Sequence, residues 1–152
     1  MAVGVRNWMF GPGIAGPPAA DGGLLILRVG AGVLLALLHG LGKIPPSEGF
    51  TGMVGGLGLP APGLFSWLAG IAEFFGGLML AMGLLTRPVA VFVVLHFLVV
   101  VFLAHAGDPL GQRELPILFG VIALTLALTG PGRYSMDAAI AGRAGGTREV
   151  HR

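Results

Sequence analysis

The sequence predicts an all-α membrane protein, a bundle of four transmembrane helices, and three observations lead there. Apolar residues make up 55% of the 152-residue chain, and charged residues only 11%. A soluble domain uses roughly 25% charged residues to cover its surface. The mean hydropathy is +0.88, and the apolar residues fall into four runs separated by links rich in glycine, proline or charge. Lipid, rather than water, suits most of such a surface.

Residues 1–21 are rich in glycine and proline and read as an irregular lead-in, with Trp8 and Phe10 beside Arg6 suited to the membrane interface. The following apolar run is long and has no small-x-small cleavage site after it, so it reads as a retained helix and not a secretory signal. The first span covers about Leu24 to Leu41 and is interrupted by Arg28 and His39. Ile44-Pro45-Pro46 ends it, because the residue before proline is pushed out of the helical region. Residues 47–63 form the longest link, apolar but broken by glycines, and are expected on the surface or dipping in shallowly. The second span, about Leu64 to Leu85, contains Glu73; Leu85-Thr86-Arg87-Pro88 is a tight hairpin. The third, about Pro88 to Ala106, has His96 near its middle. The fourth, about Leu115 to Thr129, is short for a crossing of roughly 20 residues, and Pro116 falls in its first turn. Gly130-Pro131-Gly132 stops it. The domain organisation is therefore a lead-in (1–21), a four-helix transmembrane domain (22–138) and a polar C-terminal tail (139–152).

Composition also excludes chemistry. With no cysteine there is no disulfide, thiolate catalysis or cysteine-ligated metal. The calculated pI is 9.9, but the net charge is only +2 and no basic run forms a nucleic-acid patch. The basic residues read instead as topology signals. Arg6, Arg87, Arg133, Arg143, Arg148 and Arg152 fall on the side of the termini, against Lys43 and Arg113 on the other, which places both termini in the cytoplasm.

A charge in mid-bilayer costs about 2.5–3.5 kcal/mol on insertion scales, so each polar residue inside a span asks for a reason. Arg28 and His39 are 11 residues apart, within about 20° of one face of an α-helix. Gly32, Ala36 and Lys43 lie near the same line, and the second span carries a matching stripe of Ser66, Gly70, Glu73 and Gly77. Small residues allow close helix approach, so the two stripes are expected to face each other. Glu73 and His96 both fall near the bilayer centre, with His96 and His39 the expected partners of the carboxylate. Arg28 is expected to snorkel inward, and Glu114 to pair with Lys43 or Arg113. For Arg28, Lys43, Arg87 and Glu114 a structural role near an interface is the simpler reading; Glu73 is the stronger functional candidate. His96 and His105, nine residues apart, are half a turn out of phase, so they are expected to point to opposite faces and not to join one site on their helix. No CxxCH or HExxH spacing supports haem or another metal, and no Walker loop or dinucleotide fingerprint is present.

The pattern resembles the DoxX family of small membrane proteins. The matching pieces are Leu27-Arg28-Val29-Gly30, His39-Gly40-Leu41-Gly42-Lys43, Gly58-Leu59-Pro60-Ala61-Pro62, Ala72-Glu73-Phe74-Phe75-Gly76-Gly77, Gly83-Leu84-Leu85-Thr86-Arg87 and the closing Gly130-Pro131-Gly132-Arg133-Tyr134-Ser135-Met136-Asp137. The resemblance implies a four-helix membrane fold and makes Arg28, His39, Lys43, Glu73 and Arg87 characteristic polar positions. Members resemble the small subunit of thiosulfate:quinone oxidoreductase, which implies a redox-linked subunit with quinone as its ligand. The alternative is a non-catalytic accessory subunit packed against other membrane subunits or its own copies. A transporter is less supported, since no inverted repeat or broken helix pair is visible.

Overall fold

The computed structural model describes residues 17–149. Trp8, Phe10 and Arg6, expected at the interface, lie outside the described residues. Among those described, four helices are long and apolar enough to cross a membrane: α1 (Pro18–Lys43), α3 (Pro62–Met82), α4 (Thr86–Ala104) and α5 (Leu110–Thr129). A short helix, α2 (Glu48–Gly56), joins α1 to α3, and α6 (Met136–Glu149) comes after the last span.

Local chemistry sets the ends. Pro18 stands at the start of α1, where its missing N–H costs nothing, and Asp21 lies in the first turn, favoured by the helix dipole. The span therefore begins earlier than Leu24, and it takes in Pro18–Asp21 from the expected lead-in. Ser47 caps α2, its Oγ accepting the Phe50 N–H at 3.2 Å. The 47–63 link thus contains a helix where a broken surface loop was expected. Gly83 (φ 68°) closes α3 in the left-handed region, with the Leu84 N–H on the Met79 carbonyl at 2.9 Å. The last span begins at Leu110, not Leu115, so Pro116 lies inside it. The helix reaches twenty residues, the length of a crossing, by taking in the polar flank around Arg113.

α1 and α3 run antiparallel at very close range. A Cβ on Gly32 would fall 2.5 Å from the Gly77 carbonyl oxygen, and one on Gly77 would fall 2.7 Å from that of Gly32. The expected meeting of the two small-residue stripes is therefore observed. α3 is the central element, with 39% of its apolar window buried against 22–28% for the other spans. Leu35, Leu80, Val93, Phe97, Phe119 and Leu126 fill the space between α1, α3, α4 and α5. The large apolar side chains on the outer faces, such as Ile26, Leu38, Phe102 and Leu128, stay exposed for lipid.

Three spans each contain a π-helical turn: Leu35–Gly40 in α1, Ile71–Phe75 in α3 and Val100–Ala104 in α4. A π turn inserts one residue and rotates the rest of the helix by about 100° relative to an unbroken α-helix. In α1 this puts Gly40, not His39, on the stripe with Arg28, Gly32 and Ala36, all of them buried.

At the other end, the closing segment is strapped to the α3–α4 hairpin. Asp137 accepts the Leu85 and Thr86 N–H groups at 2.8 and 2.9 Å, capping α4. Arg28, 1% exposed, donates from Nη1 to the Ala81 carbonyl at 2.9 Å and from Nη2 to that of Tyr134. It does not snorkel to water, because the hairpin and the Tyr134–Ser135 segment cover it. A Cβ on Gly83 would lie 2.4 Å from Arg28 Nη1 and 2.6 Å from Ser135 Cβ, so only glycine fits there. Asp21 holds the same segment from α1, its carboxylate 3.1 Å from Arg133 Nε.

Candidate functional site

Two further glycines build the intramembrane ion cluster. A Cβ on Gly40 would meet the Phe74 nitrogen at 2.3 Å, and one on Gly70 would meet the Lys43 carbonyl oxygen at 2.8 Å. The end of α1 is thus pressed against the turn of α3 that carries Glu73. Lys43 lies level with Gly70, eight residues into α3 from its start at Pro62. Its Nζ donates to Glu73 Oε1 at 2.6 Å and Oε2 at 2.5 Å. On the other side, His96 Nε2 lies 2.9 Å from Glu73 Oε1. The Glu73 side chain is 4% exposed, so both carboxylate oxygens are desolvated and held by hydrogen bonds. That arrangement is how a charge survives in an apolar interior.

Of the candidate residues, the structure brings together Lys43, Glu73 and His96. His39 does not reach Glu73: the π turn swings it away, and its ring stands edge-on to Phe119 at 5.5 Å. Phe119 stacks on Phe97 at 5.6 Å, so His39 belongs to the aromatic core. Arg28 and Arg87 lie at the opposite end of the bundle, Arg87 buried in the first turn of α4. Glu114 is exposed on α5 and pairs with neither expected cation. Lys43 is on Glu73 instead, and Arg113 donates to the carbonyls of Asp108 and Ala106 at 2.7 and 2.5 Å.

Beside the cluster is a partly open cavity of about 370 Å³, lined by α2, α3 and α4. Its walls are apolar, with Phe50, Met53 and Val54 from α2, Phe65 and Leu68 from α3, and Phe92, Leu95 and Val99 from α4. Lys43, Glu73 and His96 contribute polar groups at one end. The Lys43 ammonium also sits 5.4 Å from the centre of the Phe50 ring, tying α2 to the cluster. An apolar hollow of a few hundred Å³ with a few convergent polar groups has the make-up of a ligand site.

His105 lines the same cavity. The expectation that His96 and His105 point to opposite faces fails because the Val100–Ala104 π turn lies between them. One inserted residue brings their directions to within about 80°. His105 Nδ1 is 2.7 Å from Asp108 Oδ2. The His-x-x-Asp spacing was the available signal for that pair; nothing in the residue pattern announces the π turn.

Fold and site define a small multi-pass membrane protein with an ion cluster buried among its helices. The chain belongs to the DoxX family, whose model matches residues 23–106. It is similar to the inner membrane protein YqjF of Escherichia coli, 34% identical over 77% of this chain and 91% of the relative. The inner membrane protein YphA of the same organism is 32% identical over 75% of this chain and 87% of the relative. A Bacillus subtilis protein named "Putative oxidoreductase CatD" is 31% identical over 76% of this chain and 84% of the relative. No solved structure matches. The chain is a multi-pass inner-membrane protein.

Proposed function

We propose that this DoxX protein is a redox-associated membrane subunit that binds an apolar, quinone-type molecule in the cavity between α2, α3 and α4. The observation that carries the reading is the meeting of apolar walls with the Lys43–Glu73–His96 cluster in one cavity of about 370 Å³. The residues fit such a group: aromatic and aliphatic side chains flank a ring, and the cluster offers an ammonium and an imidazole to a ring oxygen. A bound quinone would supply a carrier of electrons and protons. The chain's part is to limit water, orient the ring and hold protons at Lys43 Nζ and His96 Nε2, both set against the Glu73 carboxylate. The name of the Bacillus subtilis relative supports a redox setting. The distribution of Lys and Arg supports both termini in the cytoplasm and the cavity in the outer half of the membrane.

A second reading, an accessory subunit packed against another membrane protein, has one observation in its favour. Gly22, Gly23 and Gly30 on α1 have nothing within 4 Å of a Cβ position, leaving room for a foreign helix to approach.

The test is purification from native membranes in mild detergent, followed by quinone analysis of the lipid extract and mass spectrometry of co-purifying proteins. Quinone near one per chain, absent from a folded Glu73→Gln variant, supports the first reading. A quinone-free chain locked to a larger membrane enzyme supports the second.

A further inference from the structure

The cavity has two polar ends. Lys43, Glu73 and His96 form one, and His105 stands at the other on the same lining. His96 lies within α4 and His105 directly follows its last residue, nine positions further on, or roughly 12 Å along the axis when one inserted residue is discounted from the helical rise. Between them the wall is made of Val99, Val100 and Ala104. Asp108 Oδ2, 2.7 Å from His105 Nδ1, accepts that nitrogen's proton and so orients the ring. His105 Nε2 is left without a protein partner among the described residues. It accepts a hydroxyl proton when the ring is neutral, and donates to a carbonyl oxygen when the ring is charged. The His105 side chain is 32% exposed and the Glu73 side chain 4% exposed.

We infer that the cavity selects a molecule with an oxygen at each end of a flat ring, a dione or the corresponding diphenol, and that His105, oriented by Asp108, holds the far oxygen. A single-headed amphiphile or an acyl chain would leave that imidazole nitrogen facing apolar matter unpaired, which is costly. The inference rests on the quinone-type reading above and adds its second contact. Its partner residues, His105 and Asp108, lie outside the Lys43–Glu73–His96 cluster.

The experiment measures equilibrium binding by the full chain in detergent for two probes. One is a decyl-substituted 1,4-benzoquinone; the other is a decyl-substituted phenol with a single oxygen. The wild-type chain is expected to prefer the quinone. His105→Leu should weaken quinone binding about tenfold, the effect of one lost hydrogen bond, and leave phenol binding unchanged. His105→Gln, which keeps a polar group, should recover part of the affinity, and Asp108→Asn should weaken quinone binding alone. The inference is overturned if His105→Leu changes both probes equally, or if it leaves quinone binding intact while Glu73→Gln abolishes it. Failure of the wild type to bind either probe overturns the quinone-type reading itself.

Discussion

Glu73 is held from two sides, and its two partners do different things. Lys43 neutralises the carboxylate, while His96 fixes Oε1 from the facing helix at 2.9 Å. Removing one member of such a buried set strands the rest. Lys43→Met is expected to destabilise the folded chain by about 3 kcal/mol, because a carboxylate that is 4% exposed loses its cation. Adding Glu73→Leu to that variant should restore most of the loss, and thermal unfolding of both single variants and the double gives the coupling directly. If the double variant is as unstable as Lys43→Met alone, the ion pair is not what Lys43 contributes. At this scale the sequence shows which residues are costly in a membrane but not which of them meet. Glu73 and His96 fall at the same depth by counting residues, and they do pair. His39, the other expected partner, is turned away toward Phe119.

At the scale of elements, α2 stands apart. Gly49, Gly52, Gly55 and Gly56 occupy four of its nine positions, and Gly49, Gly52 and Gly56 have nothing within 4 Å of a Cβ. Packing does not require glycine there, so α2 is a weak helix laid over the cavity. Gly52→Ala should therefore stabilise α2 by about 1 kcal/mol, seen as slower amide exchange over residues 48–56. Faster exchange or a lower melting temperature would mean the position is packed after all. Asp137 is the opposite case, a side chain far along the chain that caps α4. Asp137→Ala should cost about 1–2 kcal/mol, the range for a lost cap, measured as a fall in unfolding temperature. The spans are visible in the apolar runs, but α2 is not, because a helix with four glycines has neither propensity nor pattern to announce it. The π turns are equally silent: the same residues would sit as well in an unbroken α-helix, and only close contacts with neighbouring helices select the wider turn.

The described residues form an antiparallel bundle in which two polar regions lie far apart. One is the ion cluster and its cavity. The other is the strap formed by Asp21, Arg28, Arg133 and Asp137, which ties the first span, the α3–α4 hairpin and the closing segment together. The strap side also carries the excess of arginine. A reporter that fluoresces only when folded in the cytoplasm, fused to the C-terminus, is expected to be bright, and a phosphatase active only outside the cytoplasm to be silent. The reverse result would invert the bundle and put the cavity toward the inner face.

By itself the sequence determined the class of the protein, the presence of four membrane crossings, the small-residue stripes that join α1 to α3, and the family. These come from composition and from periods that act over a few turns of one helix, where the cost of exposing or burying each residue is nearly local. The tertiary structure alone decided that Lys43 ends deep enough to reach Glu73, that His39 belongs to the aromatic core, and that His105 shares a cavity with His96. Each depends on where one extra residue is inserted into a helical turn, and such an insertion is stabilised by neighbours that are distant in sequence.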